Sequence, residues 1–233
     1  MSELQAVFWD MDGTLVDTEP YWMESEYQLV RAHGGSWNDE KAHLLVGQAL
    51  PFSATVLQQS GVQMGVREII DHLTGQVVAK CAERMPWRPG ARELLEELHA
   101  EQVRNALVTM SFTPLARAVA DALPAGQLEF TVTGDMVSAG KPDPEAYHLA
   151  FDTMAADHQG RTGAQLQRQR CIAIEDSVPG TAAAAASGLV TLAVPHYTPL
   201  PETGQWHLLD TLDGARVTDL QQLLLRDPAP AVA

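Results

Sequence analysis

Short apolar runs alternate with amphipathic stretches along most of the chain. Leu4 to Trp9 is an apolar run of a length that suits a buried strand, and Val103 to Val108, Phe130 to Val132, Cys171 to Ile174 and Leu189 to Val194 repeat it. Between these runs the apolar positions change to helical spacing. Ala91, Leu94, Leu95 and Leu98 follow i, i+3, i+4, i+7, and Leu115, Ala118, Val119 and Ala122 do the same. Thr113-Pro114 and Asp143-Pro144 each place a capping oxygen before a proline at a helix start, and Gly188 closes the alanine-rich run that ends at Ala186. Strands alternating with helices predict an α/β fold, a Rossmann-like parallel sheet covered on both faces. One stretch breaks the alternation. From about Thr18 to Arg88 the periodicity is helical throughout, clearest in Val66, Ile69, Ile70, Leu73 and Val77. Gly34-Gly35, Gly47, Gly61 and Gly65 punctuate it, and Pro86 and Pro89 mark its exit. The expected organisation is a core of residues 1–17 and 89–233 with an inserted α-helical cap of residues 18–88. Asp157 to Gln169 reads as an exposed polar loop, and Asp227 to Ala233 as a frayed tail.

Composition changes this picture in one respect. The 233 residues carry 15 Lys and Arg against 30 Asp and Glu, a formal net charge of -15. Such a chain repels phosphate backbones and anionic lipid, so neither nucleic acid nor membrane is an expected partner. An anionic substrate would need positive charge supplied locally, which a bound divalent cation does. Cys81 and Cys171 read as two buried thiols with no metal-binding spacing. The N-terminus lacks a signal-peptide pattern and no apolar run approaches a membrane span. The expectation is a cytoplasmic monomer that acts on a small phosphorylated metabolite.

The candidate chemistry lies just after the strands, where open parallel sheets bind their ligands. Asp10-Met11-Asp12-Gly13-Thr14 follows the first run and Thr109-Met110-Ser111 the second. Gly140-Lys141-Pro142 comes after the third, and Glu175-Asp176-Ser177 after the fourth. Four carboxylates meeting in one crevice invite a hard cation such as Mg2+. A carboxylate can attack phosphorus, and a second carboxyl can protonate the leaving oxygen. Asp10 and Asp12, two apart at a strand end, point the same way.

These segments resemble, in order and general spacing, the four motifs of the haloacid dehalogenase superfamily. DMDGTLVDTEPYW is similar to the first, VTMS to the second, GKPDPEAY to the third and IEDSVPG to the fourth. The resemblance spans nearly the whole chain, and the helical insert falls where that family carries a small cap. Within the family the sequence is most similar to the beta-phosphoglucomutase-like branch and its sugar-phosphate phosphatases. The resemblance implies Asp10 as nucleophile and Asp12 as acid/base. It implies Thr109, Met110, Ser111 and Lys141 as the phosphate-binding set. Asp10, the carbonyl of Asp12 and Asp176 would be the magnesium ligands, with Glu175 acting through water.

The carboxyl at Asp12 favours phosphoryl transfer over dehalogenation, which needs no protonated oxygen leaving group. A phosphatase is therefore the main reading, and two alternatives stay open. A mutase of the beta-phosphoglucomutase type would carry a cap histidine where Trp22 stands, and a lysine and an arginine in the loop around Gly47, where Val46 and Leu50 align. A binding protein that kept the fold would need none of these catalytic types. Glu19, at the start of the insert, could face the crevice or solvent. The eight histidines show no ligand spacing.

Overall fold

The computed structural model describes residues 4–46, 48–201 and 204–225. Gly47 and the tail from Asp227, both singled out above, lie outside the described residues. Six parallel strands form one sheet: β1 (Ala6–Trp9), β2 (Arg104–Val108), β3 (Thr131–Val132), β4 (Cys171–Glu175), β5 (Val190–Ala193) and β6 (His207–Leu208). Their order across the sheet is β3-β2-β1-β4-β5-β6, with β1 between β2 and β4. The five apolar runs all supply strands. Pattern reading missed β6, whose two residues carry no apolar run.

Strand alternation divides the interior. Ala6 and Phe8 of β1 join Ala106, Val108, Cys171 and Ala173 in one cluster, while Val7 and Trp9 join Leu107, Ile172 and Ile174 in the other. Buried on both faces, β1 has no room for a polar residue until Asp10 ends it. The first cluster is covered by α7 (Glu145–Thr162) and α8 (Val178–Ala186). The second is covered by α5 (Ala91–Ala100), α6 (Thr113–Asp121) and α9 (Val217–Leu223), and it continues into the helical insert. Small side chains let α8 approach the sheet closely. At Gly180 an added Cβ would lie 1.8 Å from Oε2 of Glu175.

Four helices fill the interval between β1 and α5. They are α1 (Glu19–Ala32), α2 (Asp39–His43), α3 (Leu50–Gln59) and α4 (Val66–Glu83). The stripe expected in α4 is its buried side: Ile69, Ile70, Leu73 and Val77 are buried, with Val66 packed at the edge. The chain leaves and re-enters the sheet region as a paired ribbon. Val16 bridges Trp87 antiparallel, Asp17 N–H donates to Pro86 O at 2.8 Å, and Arg88 N–H donates to Leu15 O at 3.0 Å.

Other details differ from the sequence reading. The helix expected to end before Asp157 runs on to Thr162 and stops at Gly163, whose φ of 72° glycine accommodates easily. Asp157 holds this extra turn, pairing with Arg161 at 2.8 Å and with Arg104. In α6 the buried face is Leu115, Ala116 and Val119, with Leu123 beyond it, rather than Ala118 and Ala122. Thr113 is inside that helix, and its hydroxyl bonds Asp135 instead of capping. Asp143 does accept from Glu145 N–H, at 2.9 Å. Gly188 and both buried cysteines stand as expected. No helix among the described residues is long and apolar enough to cross a membrane.

Candidate active site

The C-terminal ends of β1, β2 and β4 bring the predicted side chains together. Asp10 follows β1, and its Oδ1 accepts from Nζ of Lys141 at 2.6 Å. Lys141 arrives on the loop before α7, through a cis bond to Pro142. Its Nζ also lies 2.6 Å from Oε1 of Glu175 and donates to the carbonyl of Val108 at 2.9 Å. Glu175 is wholly buried, and Oε1 takes a second bond from the Tyr147 hydroxyl at 2.6 Å. Tyr147 was not anticipated. It belongs to the GKPDPEAY segment, but its role depends on α7 crossing the end of β4.

Asp12 meets three hydroxyls. Oδ2 accepts from Ser111 at 2.7 Å and from Thr109 at 3.2 Å, and Oδ1 accepts from Thr18. Thr18 also escaped the sequence reading. It holds the N-cap position of α1, where a threonine normally serves the helix, yet its hydroxyl turns to Asp12. Met110 joins Thr109 and Ser111 in lining the cavity. Asp176 completes the group. Carboxylate oxygens of Asp10, Glu175 and Asp176 lie within 4.8 Å of one another, and all three residues are buried. The room for them comes from glycine: a Cβ on Gly13 (φ 90°) would sit 2.0 Å from Oδ2 of Asp176.

The electrostatics follow from this crowding. Burial, reinforced by Glu175, pushes Asp10 up to about 7, although Lys141 pulls it down. Burial, then Asp10 and Glu175, hold Asp176 well above the ordinary carboxyl range. Burial by itself would lower the Lys141 ammonium, but Asp10 and Glu175 hold it above its usual value. One lysine thus pairs with two carboxylates and leaves Asp176 without an ion pair among the described residues. Oδ2 of Asp10 is buried and has no hydrogen-bond partner among the described residues. An orphaned oxygen among clustered carboxylates fits a hard divalent cation in chemistry and in space.

Above these groups the insert supplies an apolar wall. Trp22, Leu45, Val46, Leu50 and Ile70 line the same cavity as Asp10 and Lys141. Glu19 faces that cavity, which decides the alternative the sequence left open. Lysines and arginines of the insert that could have reached it are occupied or exposed. Lys80 pairs with Glu24 at 2.7 Å, Lys41 bonds the carbonyl of Ser36, and Arg31 is exposed. Tyr197, after β5, lines the rim and donates to Asp17 at 3.1 Å.

Known proteins resemble this chain in sequence and in fold. A Thermotoga maritima protein described as a phosphorylated carbohydrates phosphatase is 27% identical over 191 residues, covering 80% of this chain and 82% of the relative. Among solved structures, a variant of CbbY from Rhodobacter sphaeroides in complex with xylulose 1,5-bisphosphate superposes with a TM-score of 0.81. It is 26% identical, over 93% of this chain and 99% of the other. A Clostridium difficile beta-phosphoglucomutase shares the fold at a TM-score of 0.76 and 17% identity, over 95% and 97% of the two chains. A model of the haloacid dehalogenase-like hydrolases matches residues 4–188. With that match spanning most of the sheet and the whole insert, the chain belongs to the haloacid dehalogenase-like hydrolase family.

Proposed function

We propose that the protein is a phosphatase that hydrolyses a small phosphate monoester, a sugar phosphate by its relatives' example, through an aspartyl-phosphate on Asp10. One observation carries this reading. Asp10 ends a buried strand beside the cavity with Oδ1 tied to Lys141 and Oδ2 buried and unpartnered among the described residues, so a cation taken by one carboxylate oxygen leaves the other to attack. In the first step that oxygen attacks phosphorus, the ester P–O bond breaks, and Asp12 gives its proton to the departing alkoxide. In the second step Asp12 takes a proton from water, which attacks the phosphoaspartate and releases phosphate. Thr109, Ser111, the backbone at Met110 and Lys141 orient the phosphoryl oxygens. Thr109 and Ser111 bond Asp12 here, so accepting phosphate requires those hydroxyls to turn.

Asp10, the carbonyl of Asp12 and Asp176 would hold a magnesium ion, with Glu175 behind a water. The ion would neutralise the carboxylates and balance charge on the transferring oxygens. Residues 18–88 would act as a cap over the core of residues 1–17 and 89–233, excluding water during the first step. The apolar wall with Trp22, Val46 and Leu50 offers no cation for a second phosphate, which favours hydrolysis of monophosphates over mutase chemistry.

The test is phosphate release from a panel of sugar monophosphates and glucose 1,6-bisphosphate. Magnesium is expected to support turnover and EDTA to silence it. Asp10→Asn should lower kcat by at least ~10^4-fold while keeping the fold. Full activity in Asp10→Asn would overturn the covalent route, and a strong preference for the bisphosphate would overturn the reading of the cap.

A further inference from the structure

A carboxylate the proposed chemistry does not use lies deep in the same cavity. Glu26, on α1, is only 5% exposed and lines the cavity. Its Oε2 is buried with no hydrogen-bond partner among the described residues. The Trp37 indole comes near enough to favour the ionised carboxylate but falls short of a formed hydrogen bond, and its Nε1 is buried and unpartnered among the described residues. Burial, aided by Glu19, pushes Glu26 up to about 8. A buried unsatisfied carboxyl is costly. Its place in a cavity points to a ligand that satisfies it.

The surroundings narrow that ligand. Glu19, Trp22 and Glu26 are spaced i, i+3, i+7, so they share one face of α1 and all three line the cavity. The two carboxyl-bearing positions are two turns apart, about 10 Å along the axis. Trp22 lies between them and offers an apolar surface. A ligand that suits this strip has hydrogen-bond donors at more than one point along its length and C–H surface between them. Polyhydroxylated carbon chains and rings have that form. A single ammonium satisfies one carboxyl only, and a second phosphate meets two acids and no free cation among the described lining residues.

We propose that Glu26, together with Glu19, is a specificity-determining acceptor site for the hydroxyl groups of the leaving alcohol, selecting a neutral polyhydroxylated monophosphate. This deepens the phosphatase reading and rests on it. The hydroxyls donate to the two carboxyl groups while the phosphate sits some distance away at Asp10. An analogue without those hydroxyls buries Glu26 unpaired and is rejected, as sites built to bind a hydroxyl reject substrates lacking it.

The experiment compares kcat/KM for glucose 1-phosphate and other sugar or polyol monophosphates with that for cyclohexyl phosphate, which offers ring carbon and no hydroxyls. The ratio of the best hydroxylated ester to cyclohexyl phosphate is the readout. Glu26→Leu should lower that ratio about 10- to 100-fold, the worth of a hydrogen bond to a carboxylate. Glu26→Gln, which keeps an acceptor oxygen, should restore most of it. Glu26→Leu should also raise Tm, because an orphaned carboxyl has been replaced, whereas a merely structural Glu26 would lower it. An unchanged ratio, or a glucosamine phosphate preferred more than about tenfold over its hydroxyl counterpart, would overturn the proposal. If the wild type releases phosphate from no ester, the phosphatase reading itself fails. Thermal shift by the same sugar monophosphates then decides the acceptor site: a shift lost in Glu26→Leu supports it, and equal shifts, or none in either protein, refute it.

Discussion

Two groups of carboxylates line one cavity and are held in opposite ways. On the sheet side, Asp10 and Glu175 share the Lys141 ammonium, and Tyr147 bonds Glu175 as well. On the insert side, Glu19, near Asp12 and Asp17, and Glu26, beside Trp37, form no ion pair among the described residues, and burial pushes each up to about 8. The first group is fixed before any ligand arrives, which suits atoms that must meet phosphorus in a set direction. In the second group Glu26 has unmet bonding capacity among the described residues, which suits an atom that must discriminate among ligands. On the proposed reading, the same side-chain chemistry serves reaction in one place and selection in the other, and the difference lies in whether the fold provides a partner.

Removing the shared cation should break the contrast most severely. Lys141→Met leaves Asp10 and Glu175 facing each other uncompensated, and the expected loss of stability is about 3–5 kcal/mol. Urea denaturation in EDTA measures it, and a loss within error would mean that the lysine is not the element organising this wall. A smaller effect is expected at Thr18. Thr18→Val removes one hydroxyl from Asp12 while keeping its shape, at a cost of roughly 1.5–3 kcal/mol for a bond to a carboxylate. That should appear as a fall in kcat of about tenfold or somewhat more, with KM little changed. A change confined to KM would assign Thr18 to substrate binding instead.

The mildest test is thermal. Glu19 and Glu26 have folded values of about 8 against an ordinary 4.5, so the folded protein binds their protons more tightly than the unfolded chain does. The associated stabilisation is complete below about pH 4.5 and disappears as pH rises through about 8. Tm in EDTA should therefore decline across that window, and the decline should be shallower in Glu26→Leu. Parallel curves for the two proteins would show that Glu26 is hydrated and ionised throughout.

Much of this could be read from the chain because it is local. Buried parallel strands announce themselves as apolar runs, and the residues that close them, Asp10, Thr109 and Glu175, sit at the carboxyl ends where ligands bind. Lys141 was legible from its motif, although its bonds span 131 positions to Asp10. What stayed hidden depends on contacts that no spacing encodes. Thr18 looks like an ordinary helix cap until its hydroxyl is seen on Asp12. Glu26 looks like one more acid on a surface helix in a strongly acidic chain, and its burial beside Trp37 and against the cavity has no signature in spacing. The strand β6 is two residues of ladder, too short to leave a pattern, and the last turn of α7 is held by Arg104 from a distant strand.

The ribbon formed by Val16 and Trp87 has a consequence for how such a protein can change. Bridged residues on neighbouring antiparallel strands are about 5 Å apart, a gap that a two-residue turn can close. The sheet therefore places no demand on the size or shape of what lies between them. The ends of the run from Asp17 to Pro86 are thus already held at hairpin distance, while the Thr18 hydroxyl on Asp12 and the packing of α4 against α6 tie the run to the sheet layer as well. A segment of another length could be joined at that seam, provided it rebuilds the face that α4 presents to α6.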